Sequence, residues 1–261
     1  MKLLSYLLDF IYPPACPCCA GRVLENGYLC AECFSKFNWI SDPKCACCGY
    51  PFPADLDLGP TPLCPICANG KNVVDWCRAA CVYDDMSRSV MLPFKHASAF
   101  KYKDLMSRAM INSLRELNVG AGLARPINDR NEKGAPTAPL QSVDIVIPVP
   151  LAFWRLFKRG YNQATLLARP IAKHLNVPMD LHSVKRKYKP DMGHKNARQR
   201  RENIRGVFNV RHPENIRGKV ILLVDDVMTT GATFYEMRRI LKKAGAKAVY
   251  GVVFCRVAKA I

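Results

Sequence analysis

Val220-Ile-Leu-Leu-Val-Asp-Asp-Val-Met-Thr-Thr-Gly-Ala-Thr233 is the stretch that decides the fold of this chain. Its first five residues, Val220–Val224, form a short apolar run that predicts a strand buried on both faces. Two carboxylates, Asp225 and Asp226, follow the run, and a helical pattern then extends over Phe234–Ala244. The order of strand, acids, small loop and helix predicts a binding site at the carboxyl end of a parallel sheet.

The segment Thr229–Thr233 joins the predicted strand to the helix and is built from small and hydroxyl-bearing residues. Backbone N–H groups and the positive end of the helix dipole would form an anion pocket there, sized for a phosphate monoester. Gly231 allows close backbone approach, and the threonine hydroxyls add donors. Because carboxylates repel a phosphate, we expect Asp225 and Asp226 to face sugar hydroxyls or a divalent cation beside it.

This stretch resembles the phosphoribosyl diphosphate (PRPP) binding motif of type I phosphoribosyltransferases. The resemblance implies that Asp225 and Asp226 are the catalytic acid pair and hold the ribose hydroxyls, with Mg²⁺ bound to the pyrophosphate. It also implies that the 5′-phosphate is held by Thr229, Thr230, Gly231, Ala232 and Thr233. The alternative is an ordinary strand–turn–helix in which Asp and Thr serve only as caps. Two acids followed by Thr-Thr-Gly-Ala-Thr favour the ligand site.

Eight of the thirteen cysteines form four CxxC pairs in the first quarter of the chain. Each pair can bind one edge of a tetrahedral Zn²⁺. Sequential pairing gives two structural four-cysteine sites in a double zinc ribbon, whereas interleaved pairing gives a cross-brace; the repeated CxCC-spacer-CxxC pattern favours sequential pairing. Cys18 and Cys47 are expected to be spare thiols. The predicted zinc ligands are Cys16, Cys19, Cys30, Cys33, Cys45, Cys48, Cys64 and Cys67.

The chain is strongly basic, with 39 Lys and Arg against 21 Asp and Glu and a formal charge of +18. Two zinc tetrathiolate sites would lower this value to roughly +14. The remaining positive charge favours anionic partners such as nucleic acids or phosphorylated substrates, although part of it is solvated surface.

The N-terminal residues and the cysteine pattern bear on the compartment of the protein. Met1–Tyr12 has only Lys2 in front, Asp9 within it and no small-residue cleavage site, so it predicts a docked amphipathic helix rather than a signal peptide. No apolar run approaches the roughly 18 residues that a membrane span needs. Cysteines paired as CxxC indicate metal binding in a reducing cytoplasm rather than disulfides.

Further apolar patterns predict the rest of a parallel α/β domain. Strands are expected at 78–83 and 143–151, and helices at 87–96, 103–117 and 164–175. Lys95 and His96, at the end of the first of these helices, are expected to be solvated. Residues 118–141 predict a long surface loop. We therefore predict a docking helix over residues 1–15, a double zinc ribbon over 16–70 and a phosphoribosyltransferase-type domain over 71–261.

Two basic segments accompany the predicted sheet. Arg155, Lys158 and Arg159 follow the strand at 143–151, where they would suit a pyrophosphate; Arg159 and Asn162 can equally be residues that begin a helix. The second segment, Val184–Phe208, is the most basic part of the chain. It can close as a hood over PRPP, follow a nucleic-acid backbone, or remain a solvated loop. Its candidate contacts are Lys195, Arg198, Arg200 and Arg201.

Taken together, these motifs resemble the ComF/GntX family of bacterial competence-type proteins, in which a double zinc ribbon precedes a phosphoribosyltransferase-like domain. The resemblance rests on the four CxxC pairs, 148–151, 159–164, 203–208 and 224–233, and departs at 189–192, where the family commonly has Thr-x-x-Gln. It implies an association with natural transformation and DNA uptake, with single-stranded DNA and the uptake machinery as partners. Glutamine amidophosphoribosyltransferase activity is not expected, because Lys2 follows Met1 where that reaction needs a cysteine nucleophile.

Two functional hypotheses follow. In the first, the protein transfers the phosphoribosyl group of PRPP to an acceptor, with Mg²⁺ on the pyrophosphate. In the second, the PRPP pocket is a sensor and the basic surface binds single-stranded DNA. The two are compatible if PRPP controls DNA binding.

Overall fold

The computed structural model describes residues 13–70, 73–96, 99–115, 141–188 and 203–258. The predicted docking helix lies outside these residues except for 13–15, and so does the predicted surface loop except for residue 141. Lys195, Arg198, Arg200 and Arg201 also lie outside the described residues.

Four parallel strands form the central sheet, as the sequence predicted. In chain order they are β1 (Trp76–Val82), β2 (Ile145–Pro148), β5 (Val220–Met228) and β6 (Ala248–Arg256), and their spatial order is β1-β6-β5-β2. Two short antiparallel strands, β3 (Val184–Arg186) and β4 (Phe208–Val210), form a separate ribbon at the ends of the basic segment.

Helices cover both faces of the sheet. On one face, β-strand side chains pack against α3 (Asp85–His96), α4 (Tyr102–Ser113) and α6 (Gln163–Leu175). On the other face they pack against α7 (Ala232–Lys243) and the β3–β4 ribbon. Alternate residues of β5 therefore enter opposite cores, which explains its unbroken apolar run. No helix of the described residues is both long enough and apolar enough to cross a bilayer.

Two of the differences between the predicted and the observed elements bear on the site. The strand predicted to end at Val224 continues to Met228, because β5 pairs with β6 along its whole length. The acid pair therefore lies within the strand and not after it. The segment predicted as a loop before the helix at 164–175 contains α5 (Phe153–Arg159), which ends at the left-handed Gly160 with φ 74°.

The cysteine-rich part of the chain packs on the outer edge of β1. Trp39 bridges to Cys81 in antiparallel fashion, and the Val82 N–H donates to the Asn38 carbonyl at 2.8 Å. Farther along β1, the Cys77 N–H donates to the Cys47 carbonyl at 2.8 Å. An exposed strand edge invites pairing with other chains, so these contacts both cover the edge and fix the cysteine-rich part against the sheet. Its two short helices are α1 (Ala31–Ser35) and α2 (Pro65–Ala68).

Substitution of Gly251 by Ala should destabilise the protein by about 1–3 kcal/mol through overpacking. Gly251 lies in the middle of β6, and a Cβ there would be 2.5 Å from Phe234 Cε1 of α7. Chemical denaturation of Gly251→Ala, Phe234→Leu and the double variant measures this contact. Phe234→Leu should recover part of the loss in the Gly251→Ala background, and strict additivity of the two effects would contradict the contact.

Candidate functional site

The carboxyl edge of the sheet brings together the strand end, the small loop and the start of α7. Thr229 is exposed, Thr230 and Thr233 are partly exposed, and Gly231 and Ala232 are buried. Gly231 is the N-cap residue of α7 with φ 72°, a left-handed conformation that favours glycine. The Ala232 N–H points toward Thr230 Oγ1 at 3.4 Å. The five residues predicted to bind the 5′-phosphate thus form one turn at a helix N-terminus, as an anion site requires.

Gly231 also packs closely on Val73. A Cβ at position 231 would lie 2.7 Å from Val73 Cγ1, closer than heavy atoms can pack. Position 231 therefore needs glycine for two independent reasons: its positive φ angle and its close contact with Val73.

Asp226 forms a buried ion pair with Lys95. Asp226 is 6% exposed, and Lys95 Nζ from the last turn of α3 lies 2.9 Å from its Oδ2. The expectation that Lys95 is solvated is therefore wrong, whereas His96 is exposed as expected. The sequence pattern placed Lys95 near a helix end but carried no signal for the strand that this end would meet.

Asp225 has a different environment, because successive residues of a strand point to opposite faces. Its Oδ1 accepts the Asp226 N–H at 2.9 Å. Burial and, next, the charge of Asp226 raise the pKa of Asp225 to about 7, while the Asp226 N–H, Lys95 and Arg186 act in the opposite direction. The two acids are thus unequal: one is held by a lysine, and the other is poised to titrate near neutrality.

Arg159 lies close to the acid pair. Its Nη1 donates to Gln163 Oε1 at 3.1 Å. Burial and the neighbouring Arg155 lower the pKa of Arg159, whereas the charge of Asp226 raises it. The structure therefore brings Arg155 and Arg159 to the same edge as the acids. Both arginines were expected beside the sheet from the sequence, whereas Lys95, which adds positive charge next to Asp226, was not predicted there.

The Arg159-Gly-Tyr-Asn-Gln-Ala164 motif is held together by local hydrogen bonds. Tyr161 donates its hydroxyl hydrogen bond to the Phe94 carbonyl of α3. The Asn162 side chain caps α6 by accepting the Ala164 N–H at 3.1 Å, and it donates to the Val149 carbonyl at 3.1 Å. Asn162 is therefore a helix-entry residue, which was one of the two interpretations, and its bond to Val149 sets α6 against the end of β2.

The eight CxxC cysteines form two clusters in sequential pairing. Within each cluster the sulfur atoms all lie within 4.8 Å of one another, a spacing that fits four ligands of one tetrahedral Zn²⁺. The first cluster contains Cys16, Cys19, Cys30 and Cys33, and the second contains Cys45, Cys48, Cys64 and Cys67. Interleaved pairing is thereby excluded.

Backbone donors support the thiolate form of Cys45 in the second cluster. Cys45 Sγ accepts the backbone N–H groups of Cys48 and Cys64 at 3.5 and 3.4 Å. Cys18 and Cys47 lie outside the clusters, as expected of spare thiols, and Cys47 Sγ instead points to the Val74 carbonyl at 3.4 Å. The donor set therefore fits zinc, whose role at two closed four-cysteine sites would be structural.

The raised pKa of Asp225 predicts a specific pH dependence of stability. An aspartate has a pKa near 3.9 when unfolded, so the native state binds more protons between about pH 4 and 7. Stability should therefore fall as pH rises through this window, and the melting temperature of Asp225→Asn relative to wild type should rise between pH 5.5 and 8. Thermal melts without Mg²⁺ or PRPP measure this difference.

Asp180→Asn provides the matched control. Burial opposes ionisation of Asp180, but hydrogen bonds from Ser183 and His182 hold its pKa below the usual value. Asp180 is therefore ionised in both the folded and the unfolded state above pH 5.5. The difference in melting temperature between Asp180→Asn and wild type should stay constant between pH 5.5 and 8. A constant difference for Asp225→Asn would contradict the environment described above.

Two protein-family models match the two parts of the chain. The phosphoribosyl transferase domain family matches residues 162–260, and the double zinc ribbon domain family matches residues 7–81. Among solved structures, the purine phosphoribosyltransferase from Pyrococcus horikoshii Ot3 aligns with 59% of this chain and 80% of its own, at 18% identity and a TM-score of 0.30.

Curated relatives carry competence and DNA-utilisation names. Competence protein F of Haemophilus influenzae is 36% identical over 43% of this chain and 50% of its own length. DNA utilization protein YhgH of Escherichia coli K12 is 36% identical over 46% of this chain and 52% of its own. The chain thus spans about half the length of these relatives. Competence protein ComFC of Bacillus subtilis 168 is 27% identical over 71% of this chain and 74% of its own.

One chain carries two zinc-ribbon-like cysteine clusters followed by a parallel α/β sheet, in the order that the sequence motifs indicated. The two family models match in the same order. The chain therefore combines a double zinc ribbon with a phosphoribosyltransferase-type domain, and its curated relatives carry competence and DNA-utilisation names, as the resemblance to the ComF/GntX family implied.

Proposed function

We propose that this protein binds PRPP at the carboxyl edge of the sheet and transfers its phosphoribosyl group to an acceptor. The observation that carries the proposal is the unequal acid pair beside a turn that begins α7. The turn Thr229–Thr233 would receive the 5′-phosphate, and Asp225 and Asp226 would receive the ribose hydroxyls. Such positioning fixes the sugar so that its C1 carbon is the point of attack.

The cations around the acids have separate roles in this proposal. Arg155 and Arg159 would hold the pyrophosphate, to which Mg²⁺, when bound, supplies further charge neutralisation. Lys95 would keep Asp226 oriented toward the ribose. In the reaction the bond between C1 and the pyrophosphate oxygen breaks with its electron pair on the oxygen, a bond from C1 to a nitrogen nucleophile forms, and the nitrogen gives its proton to solvent. Zinc sites built from reduced cysteines favour a reducing compartment, and we therefore propose the cytoplasm as the location of the protein.

The double variant Asp225→Asn/Asp226→Asn should no longer release pyrophosphate from PRPP when an acceptor and Mg²⁺ are present. The assay uses a panel of nucleobases and simple amines, and the compound that stimulates pyrophosphate release identifies the acceptor. PRPP at 100 times its dissociation constant should stabilise wild type by about 2.7 kcal/mol and should not stabilise the double variant.

Asp144→Asn is the matched control, because Asp144 Oδ2 accepts the Val220 N–H at 2.7 Å at the opposite end of β5. This variant should still release pyrophosphate, and PRPP should still stabilise it. Pyrophosphate release by the double variant at the wild-type rate would refute the catalytic role. Stabilisation of wild type by PRPP without turnover would leave a ligand-sensing protein.

A second candidate function, binding of single-stranded DNA, is favoured by the surface of α5. Trp154 and Phe157 are 59% and 75% exposed, and Phe153 is exposed beside them. The three rings touch in sequence, with centroids 5.9 and 6.3 Å apart. Exposed aromatics interleaved with Arg155 and Lys158 form a surface on which bases can stack while cations meet the backbone. The curated relatives are named for competence or for DNA utilisation, which supports this candidate.

The aromatic surface supplies what the basic segment lacks. The aromatic residues of the basic segment are Tyr188 and Phe208, and Phe208 is buried. The exposed rings of α5 were not predicted, because the segment that contains α5 was expected to be a loop. Since α5 also carries Arg155 and Arg159, PRPP and DNA would compete or cooperate at this edge.

Replacing Trp154 or Phe157 by Ala should weaken binding of a fluorescent oligodeoxythymidine by roughly 5- to 150-fold each. Phe34→Ala, which removes a comparably exposed ring from the cysteine-rich part, should leave the affinity unchanged. Affinity should fall steeply with salt, and Arg198→Ala, Arg200→Ala and Arg201→Ala together should lower the salt dependence. An affinity that changes neither with salt concentration nor in the Trp154→Ala and Phe157→Ala variants would exclude this function.

A further inference from the structure

Arg256, the last residue of β6, is a buried cation that the proposed reaction does not use. It is 6% exposed, and a charge so far removed from water requires polar or charged partners. Among the described residues its Nε has no hydrogen-bond partner, so the two terminal nitrogens carry its interactions.

The first partner of Arg256 is the second cysteine cluster. Its Nη2 donates to Cys48 Sγ at 3.3 Å, and its Nη1 donates to the Cys48 carbonyl at 2.6 Å. Its guanidinium also lies over the Tyr50 ring, 5.5 Å from the centroid. Four thiolates and one Zn²⁺ carry a net charge of about −2, so a buried guanidinium beside one sulfur neutralises part of that charge. N–H donation to a ligand sulfur also orients the ligand.

The second partner of Arg256 is the end of β5. Nη1 lies 2.9 Å from Met228 Sδ, and Met228 and Arg256 are paired in the sheet register. The Val257 N–H donates to the Met228 carbonyl at 2.9 Å. Met228 directly precedes Thr229, the first residue of the turn proposed to bind phosphate. One side chain thus touches both the cysteine cluster and the start of that turn.

A separate contact joins the same two regions. Val73 follows the second cysteine cluster in the chain and packs against Gly231 inside the turn. The turn is therefore supported from the cysteine-rich side at its beginning, through Arg256 and Met228, and in its middle, through Val73.

We propose that Arg256 is a positioning residue that couples the second zinc site to the phosphate turn. It provides the counter-charge that holds the metal, and it fixes the end of β5 from which the turn begins. Loss of zinc from this site leaves the guanidinium without its charged partner and loosens the turn. The consequence for PRPP affinity rests on the proposed function, but the coupling itself can be measured without PRPP.

Zinc release to a chromogenic chelator tests the first half of the coupling. Wild type should release zinc in a fast phase from the first cluster, in which Cys19 is exposed, and in a slow phase from the second, which is fully buried. Arg256→Met should accelerate the slow phase by about 10- to 100-fold, and Arg256→Lys, which keeps the charge, should lie between. A Cys19→Ser/Cys30→Ser variant, which lacks the first site, identifies the slow phase.

Arg78→Met is the matched control for the loss of a buried arginine. Arg78 is also buried between the cysteine-rich part and the sheet, and its Nη1 donates to the Cys77 and Ala46 carbonyls at 2.8 and 3.3 Å. This variant should leave the slow phase close to wild type. In protein reconstituted with Co²⁺, only the Arg256 variants should shift the sulfur-to-metal charge-transfer band, because they alone alter an N–H···S bond to a ligand.

Hydrogen exchange of the peptide that spans 228–233 tests the second half. Its amides should exchange faster in Arg256→Met and in zinc-depleted wild type than in zinc-loaded wild type or Arg78→Met. If both Arg256 variants kept the wild-type rate of slow zinc release and the wild-type cobalt charge-transfer band, the proposed role of Arg256 at the metal site would be overturned. Unchanged exchange of this peptide after zinc loss would overturn the coupling. Because PRPP is absent from these measurements, failure of the proposed function would appear separately, in the pyrophosphate assay.

Discussion

The burial of β5 on both faces is the constraint on which the rest of the structure depends. Helices lie on one face of the sheet, and α7 with the β3–β4 ribbon lies on the other, so the covered residues of a central strand must be apolar on both sides. Val220–Val224 obeys this rule, and the first polar residues, Asp225 and Asp226, follow in the same strand, where Asp225 is partly exposed and Asp226 is buried in an ion pair. Chemistry is therefore confined to the carboxyl edge, where the turn before α7 also lies.

Placing one buried and one partly buried carboxylate side by side costs free energy unless positive charge accompanies them. The fold supplies that charge from different elements: Lys95 from α3 and Arg159 from α5, with Arg186 from β3 acting on Asp225. These cations reach the edge because α3 and α6 pack on one face and the β3–β4 ribbon lies on the other. The resulting asymmetry holds Asp226 in an ion pair and leaves Asp225 with a raised pKa.

The cysteine-rich part is more than an attached small domain. It covers the free edge of β1, donates and accepts backbone hydrogen bonds there, and contacts β6 through Arg256. A segment this short has little apolar core of its own, so metal binding and docking on the sheet both contribute to its order. Its placement also brings Val73 against Gly231, which links the order of the cysteine-rich part to that of the turn.

The sequence by itself determined the parallel α/β sheet, the two cysteine clusters and the acid–turn–helix segment, because each is specified by residues close together in the chain. Apolar runs report burial, CxxC spacing reports a metal knuckle, and Thr-Thr-Gly-Ala-Thr reports a tight turn. Only the tertiary structure decided that Lys95 pairs with Asp226, that α5 exposes its aromatic rings, and that Arg256 lies between Cys48 and Met228. These relations depend on how whole elements pack, and the contact of Arg256 with Cys48 joins residues 208 positions apart. Local periodicity carries no information on which elements meet.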